Sequence, residues 1–129
     1  MKVLMLNGSP RKDGNTSIAV LDRLFYSSHF DKTMKIGASV VCARRGGCSA
    51  TFDELNKYFT ISNMPIASSQ YWNSIHGRAQ GEAEMDEEGK QTMRVLARNM
   101  VFLMKSIALG KEKFGLPETE ERVATHFIR

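Results

Sequence analysis

The stretch KIGASVVCARRGGCSATFDELNKYF, residues 35–59, passes from an apolar run through a glycine-rich turn into a helical pattern. Residues 35–43 read as a buried strand, because a short apolar run bounded by turn residues fits a strand covered on both faces. Residues 44–49, RRGGCS, read as a loop. From residue 50 to 59, Phe52, Leu55 and Phe59 recur at helical spacing and fall on one side of a helix. Strand, loop and helix in that order form the unit from which parallel sheets are built.

The same unit is legible on either side. Upstream, KVLML (residues 2–6) reads as a parallel strand and residues 8–15 as a loop; from Thr16 onward Ile18, Leu21, Leu24 and Phe25 predict a helix ending near Ser27 and Ser28. Downstream, MPIASS (residues 64–69) predicts a short strand, with Pro65 tolerable near its start. The polar stretch QYWNSIHGRAQGEAEM (residues 70–85) has no evident element of its own, and loops of this length are usually functional. Asp86 then supplies a cap, with Glu87 and Glu88 in the first turn, for a helix carrying Met93, Leu96, Ala97, Met100, Met104 and Ile107 on one face. Past Gly110 a tail with Pro117 and ETEER predicts a further short helix or an arm reaching another subunit. Alternating strands and helices predict an α/β layered fold with right-handed crossovers. Its roughly three strands are few beside the five or so of an ordinary doubly wound sheet.

The 129 residues fit one domain, with 42% hydrophobic residues to fill a modest core. Neither an apolar run of about 18 residues nor a signal peptide is legible, so a cytoplasmic protein is expected. Cys42 and Cys48 stand in CARRGGC, a spacing that matches neither a metal site nor a disulfide framework and fits a reducing compartment. The net charge of +4 is dispersed, and without a basic stripe interleaved with aromatics nucleic-acid binding is not expected.

The loop after the first strand, NGSPRKDGNTS (residues 7–17), holds Ser9, Arg11, Asn15 and Thr16, each a donor to phosphate oxygens. A glycine-containing turn between a strand and a helix N-terminus presents backbone N–H groups to an anion. The nucleoside-triphosphate loop requires Gly-Lys-Ser/Thr where this chain has Gly14-Asn15-Thr16, and the dinucleotide fingerprint fails because only Gly8 and Gly14 are present. What remains suits a compact phosphate such as the monoester of a mononucleotide, or a polar loop whose Asn15 or Thr16 merely caps its helix.

Three stretches together resemble the NADPH-dependent FMN reductases of the flavodoxin-like fold: MKVLMLNGSPRKDGNTS, SVVCARRGGCSATFDEL, and YWNSIHGRAQGEAEMDEEGKQTMRVLARNM. The resemblance implies FMN as cofactor and NADPH or NADH as co-substrate. It assigns Ser9, Arg11, Asn15 and Thr16 to the flavin phosphate, with Pro10 and Lys12 lining the loop. It places Ala43, Arg44, Arg45, Gly46 and Gly47 near the isoalloxazine. It implies no catalytic acid, base or nucleophile and no metal, since the chemistry belongs to the flavin.

The chain departs from that family in one large respect. Two strands and their helices, with a flavin-binding loop, would stand between the first helix and LDRLFYSS. NTSIAV resembles the start of the family's first helix and LDRLFYSS the end of its third, which implies a join near Val20 and Leu21. In a sheet of order 2-1-3-4-5, loss of the second and third strands leaves the first beside the fourth or facing a gap. Such a sheet exposes edges and apolar faces, so a homo-oligomer, dimer or tetramer, is expected. The expected organisation is a shortened flavodoxin-like FMN-binding domain over residues 1–110 and a tail or oligomerisation arm over 111–129. The alternative is a non-catalytic oligomeric scaffold that has lost stable flavin binding.

The remaining candidates read more plainly. Cys42 lies in an apolar run and reads as a core thiol, while Cys48, in a loop near Arg44 and Arg45, is oxidisable. His29, His76 and His126 share no metal-ligand spacing; His76 is kept as a cofactor-edge or interface residue. Tyr71 and Trp72 could stack near a flavin or pack at a subunit contact. Arg44 and Arg45 are either solvated or placed to stabilise negative charge on a reduced flavin.

Overall fold

The computed structural model describes residues 21–128. The expected strand at 2–6, the loop through 8–15 and the helix start at Thr16 lie outside these residues. Leu21 and Asp22 are helical, and the chain then widens into a π-helical turn at Arg23–Ser27, ending at Ser28 in extended backbone. Strand β1 (Val41–Ala43), helix α1 (Cys48–Ile61), strand β2 (Ser74–His76), a 3-10 turn (Glu82–Met85) and helix α2 (Glu87–Phe114) follow. β1 and β2 form a two-stranded parallel sheet, with α1 packed on β1 and α2 on β2. The described fold is therefore mixed α/β.

The predicted strand at 35–43 is realised in two pieces. Gly37 forms a parallel bridge with Ile66, and four residues later Val41–Ala43 pairs with Ser74–His76. Along this segment Gly37, Ser39 and Val41 are buried while Val40 and Cys42 are exposed, the period of two that an extended chain dictates. Cys42 is thereby turned outward, and Cys48 is the buried thiol. This reverses the sequence expectation for the two cysteines, because β1 buries Val41 on its inner face and the next residue must point the other way.

The predicted strand at 64–69 contributes only the bridge at Ile66, and the ladder resumes at Ser74–His76, inside the stretch expected to be a loop. Between bridge and ladder one segment advances four residues while the other advances eight, so residues 67–73 arch out of register. The arch is held by Ser69 Oγ, which donates to the Asn73 side-chain oxygen at 2.7 Å, and by Asn99 Nδ2, which donates to the Ser68 carbonyl at 2.8 Å.

α1 buries Cys48 and Tyr58 and partly covers Phe52, Leu55 and Phe59, so Cys48 extends the predicted apolar face by one turn. Phe25 of the π turn packs its ring against Tyr58 and Phe59, with centroids 5.6 and 5.7 Å away. The helix ends at Asn63 in the left-handed region, with the Met64 N–H on the Phe59 carbonyl and the Asn63 N–H on the Thr60 carbonyl. That pair of bonds is the Schellman arrangement, which satisfies the last free carbonyls of a helix.

α2 begins as expected: the Asp86 side chain accepts the Gly89 N–H, and Glu87 and Glu88 complement the positive end of the helix. It runs on through Gly110 to Phe114, with Lys111 and Lys113 in its last turn. Thr92 and Leu96 are buried on its inner face, with Met93, Met100, Met104 and Ile107 partly covered. Val101, Phe102, Leu109 and Phe114 remain exposed. Residues 116–128 form neither helix nor strand. No helix among the described residues is long and apolar enough to cross a membrane.

Candidate functional site

In an open parallel α/β sheet, ligands bind beyond the C-terminal ends of the strands, because there the loops and helix N-termini gather. Here the two strand ends are level: Ala43 pairs with His76, and the Gly77 N–H reaches the Ala43 carbonyl at 3.2 Å. The chain leaves β1 through residues 44–47 into α1, and leaves β2 through residues 77–81 toward α2. Arg44, Arg45, Gly46 and Gly47 are exposed, and Ala43 is partly buried behind them. Gly47 holds φ at +94°, a left-handed conformation that glycine adopts without steric cost, and this turns the loop into the helix.

The two helix starts at this edge differ. α2 is closed by Asp86, whose Oδ1 accepts the Gly89 N–H at 2.9 Å and whose Oδ2 accepts the His76 N–H at 2.7 Å. These bonds, that from Gly89 foremost, hold the Asp86 carboxyl below the usual carboxylate range. α1 starts at Gly47 with no side chain capping it among the described residues. Among the described residues, an added Cβ at Gly46 or Gly47 would meet nothing within 4 Å. The edge thus offers the start of a helix that no described side chain caps, the positive end of its dipole and two arginines on one loop. That combination suits an anionic or electron-rich planar ligand.

The second loop is folded on itself. The Glu82 carboxylate accepts the N–H groups of Arg78 at 2.5 Å and Ala79 at 2.9 Å, and these bonds, Ala79's first, hold it below the usual carboxylate range. Lys90 braces the approach to α2, donating to the Glu84 carbonyl at 2.7 Å and pairing with Glu87 at 2.6 Å.

Of the residues expected at a site, Ala43, Arg44, Arg45, Gly46 and Gly47 stand together at the C-terminal edge. Ser9, Pro10, Arg11, Lys12, Asn15 and Thr16 lie outside the described residues. Tyr71 and Trp72 contact each other at 4.6 Å between centroids and sit on the arch, at the other end of β2. His76, expected at a cofactor edge or an interface, is at the strand end beside the arginine loop. A cluster that spacing did not reveal joins it: the Cys48 Sγ lies 3.7 Å from His76 Nε2, and Asp86 Oδ2 lies 3.7 Å from His76 Nδ1. Its members come from α1, β2 and the start of α2, and pairing of β1 with β2 is what assembles them. A cleft lined by Asp22, Tyr26, Glu54, Lys57, Tyr58 and Ile61 lies toward the far end of α1, away from this edge.

Comparison of the chain with protein-family models, with curated proteins and with solved structures finds no match in any of the three.

Proposed function

We propose that the chain is an FMN-binding domain of shortened flavodoxin-like fold, an oxidoreductase of the NAD(P)H-dependent FMN reductase type. The observation that carries the reading is the level ending of β1 and β2 at Ala43 and His76. It sets the Arg44–Gly47 loop and the start of α1, which no described side chain caps, side by side at the edge of a parallel sheet where ligands bind. The residues fit such a cofactor: among the described residues nothing crowds the backbone of Gly46 and Gly47 against a flat ring, and Arg44 and Arg45 supply positive charge for its electron-rich edge. Ser9, Arg11, Asn15 and Thr16 would hold the phosphate, with Pro10 and Lys12 lining that loop.

Bound FMN would accept hydride from NADPH or NADH and pass the electrons on, so the chain's own part is to bind, orient and screen. Gly47 lets the loop turn into α1 with no described side chain capping the helix start, and the arginines favour an anionic ring without taking part in bond making. The two free thiols suit a reducing compartment, and we place the protein in the cytoplasm.

A visible absorption spectrum of the purified protein, followed by titration with FMN, tests the reading. A bound-flavin spectrum with stoichiometric uptake supports it, and a colourless protein indifferent to FMN overturns it. A second reading, an oligomeric scaffold without flavin, is favoured by the exposed apolar side chains of α2, among them Phe102 and Phe114 at 69% and 81% exposure. In either reading we propose a homo-oligomer, dimer or tetramer, which light scattering would show. An oligomer that takes up no FMN would select the scaffold.

A further inference from the structure

Burial alone accounts for a thiol in the apolar stripe of α1; it does not account for the imidazole beside it. Cys48 is 8% exposed, and its sulfur lies 3.7 Å from His76 Nε2, within reach of a thiol hydrogen bond. His76 is fixed at the end of β2 by its pairing with Ala43 and by the bond from its N–H to Asp86 Oδ2 at 2.7 Å. With the thiol donating to Nε2, the ring's proton resides on Nδ1, facing the Asp86 carboxylate 3.7 Å away. A nucleophile, a base and a carboxylate behind the base thus follow one another across three elements.

We propose that Cys48 is a nucleophilic thiol, served by His76 as its base, that reacts with hydrogen peroxide. Burial, aided by nearby Cys42, pushes the Cys48 thiol up, so at neutral pH it carries its proton and needs a base at the moment of attack. His76 is that base, and its ring is half-exposed. Access selects the electrophile: at 8% exposure Cys48 meets a molecule as small as peroxide far more readily than a bulky reagent. The Cys48 sulfur attacks one peroxide oxygen, forming an S–O bond as the O–O bond breaks. The thiol proton passes to Nε2 and from there to the departing hydroxide, which leaves as water. Sulfur is oxidised by two electrons to the sulfenic acid and peroxide is reduced by the same two. Asp86 acts through His76 and is a positioning residue. The reaction requires no flavin and stands or falls apart from the cofactor reading.

The test treats the full chain with hydrogen peroxide, then removes the peroxide and unfolds the chain in the presence of a sulfenic-acid trap, so that the trap reaches both thiols equally, and reads the labels by mass spectrometry. Trypsin separates the thiols, Cys42 in residues 36–44 and Cys48 in residues 46–57. Cys48 is expected to label about tenfold faster than Cys42 although Cys42 is the exposed thiol. His76→Gln is expected to slow Cys48 about a hundredfold, the usual range for loss of a general base. Cys42, paired with Ile75 in the ladder, serves as the internal control, since its rate rises if the strand end opens. Labelling of Cys42 ahead of Cys48 in the unaltered chain overturns the proposal even if the variant misfolds. An unchanged Cys48 rate in a folded His76→Gln variant overturns it as well.

Discussion

Asp86 Oδ2 accepts the backbone N–H of His76 at 2.7 Å, so the residue that caps α2 also fastens the end of β2. Both bonds favour the ionised carboxylate and set its folded pKa below that of the unfolded chain, about 3.9 for Asp. The stabilisation is therefore complete above about pH 4 and is lost as pH falls through the lower, folded value. Chemical denaturation followed between about pH 2 and pH 7 should show a steep acid limb that is shallower in Asp86→Asn, where no carboxylate titrates. Parallel acid limbs in the two proteins would show that the Asp86 bonds are not formed in solution.

Much of this end of the molecule is legible in the residues themselves. The Asp86 cap, the first-turn acids and the apolar period from Met93 to Ile107 all favour the same helix, and local signals that agree are the ones a sequence expresses well. The stripe of Phe52, Leu55 and Phe59 is legible for the same reason. The strands are not: Ser74–His76 has three residues and one β-branched side chain, and it is a strand because Val41–Ala43 lies beside it. The meeting of Cys48, His76 and Asp86 follows from that pairing, so no local pattern announces it. The arginine-glycine loop could be placed at a strand end from sequence. The open start of α1 could not, since it depends on which side chains fail to reach it.

Two glycines of α2 should respond oppositely to the same substitution. In a helix, alanine ordinarily stabilises relative to glycine by about 0.5–1 kcal/mol. Among the described residues a Cβ at Gly110 meets nothing within 4 Å, so Gly110→Ala should show that gain. A Cβ at Gly89 would lie 2.5 Å from Asp86 Oδ2 and 2.8 Å from Ile75, so Gly89→Ala should displace the cap and lower the melting temperature. Equal stabilisation by both would mean that Asp86 does not hold the place it has here.

Gly37 tests the contact between the bridge and α1. A Cβ there would fall 2.5 Å from the Phe59 ring, and overpacking of this kind costs about 1–3 kcal/mol. Phe59→Ala removes the ring atoms that are struck, Cγ, Cδ1 and Cδ2, so the double variant should be more stable than the two single losses predict, by roughly 0.5–3 kcal/mol. Strict additivity in urea melts would place Phe59 elsewhere.

The arginine loop yields a prediction that separates two parts of the proposed cofactor. Among the described residues neither Arg44 nor Arg45 forms an ion pair, and both are exposed, so replacing them with glutamine should leave the melting temperature nearly unchanged. FMN affinity should fall about tenfold, the scale of one lost charge-assisted contact. Riboflavin, which has the ring but no phosphate, then decides where the charge acts. If the arginines serve the ring, riboflavin and FMN should lose affinity by the same factor. If they serve the phosphate, only FMN should weaken, and the loss should shrink as salt is added. The uncrowded backbone of Gly46 and Gly47 among the described residues, which suits close approach of a flat ring, favours the first result. The second would move the phosphate from the Ser9–Thr16 loop to this edge and reverse the orientation proposed for the flavin.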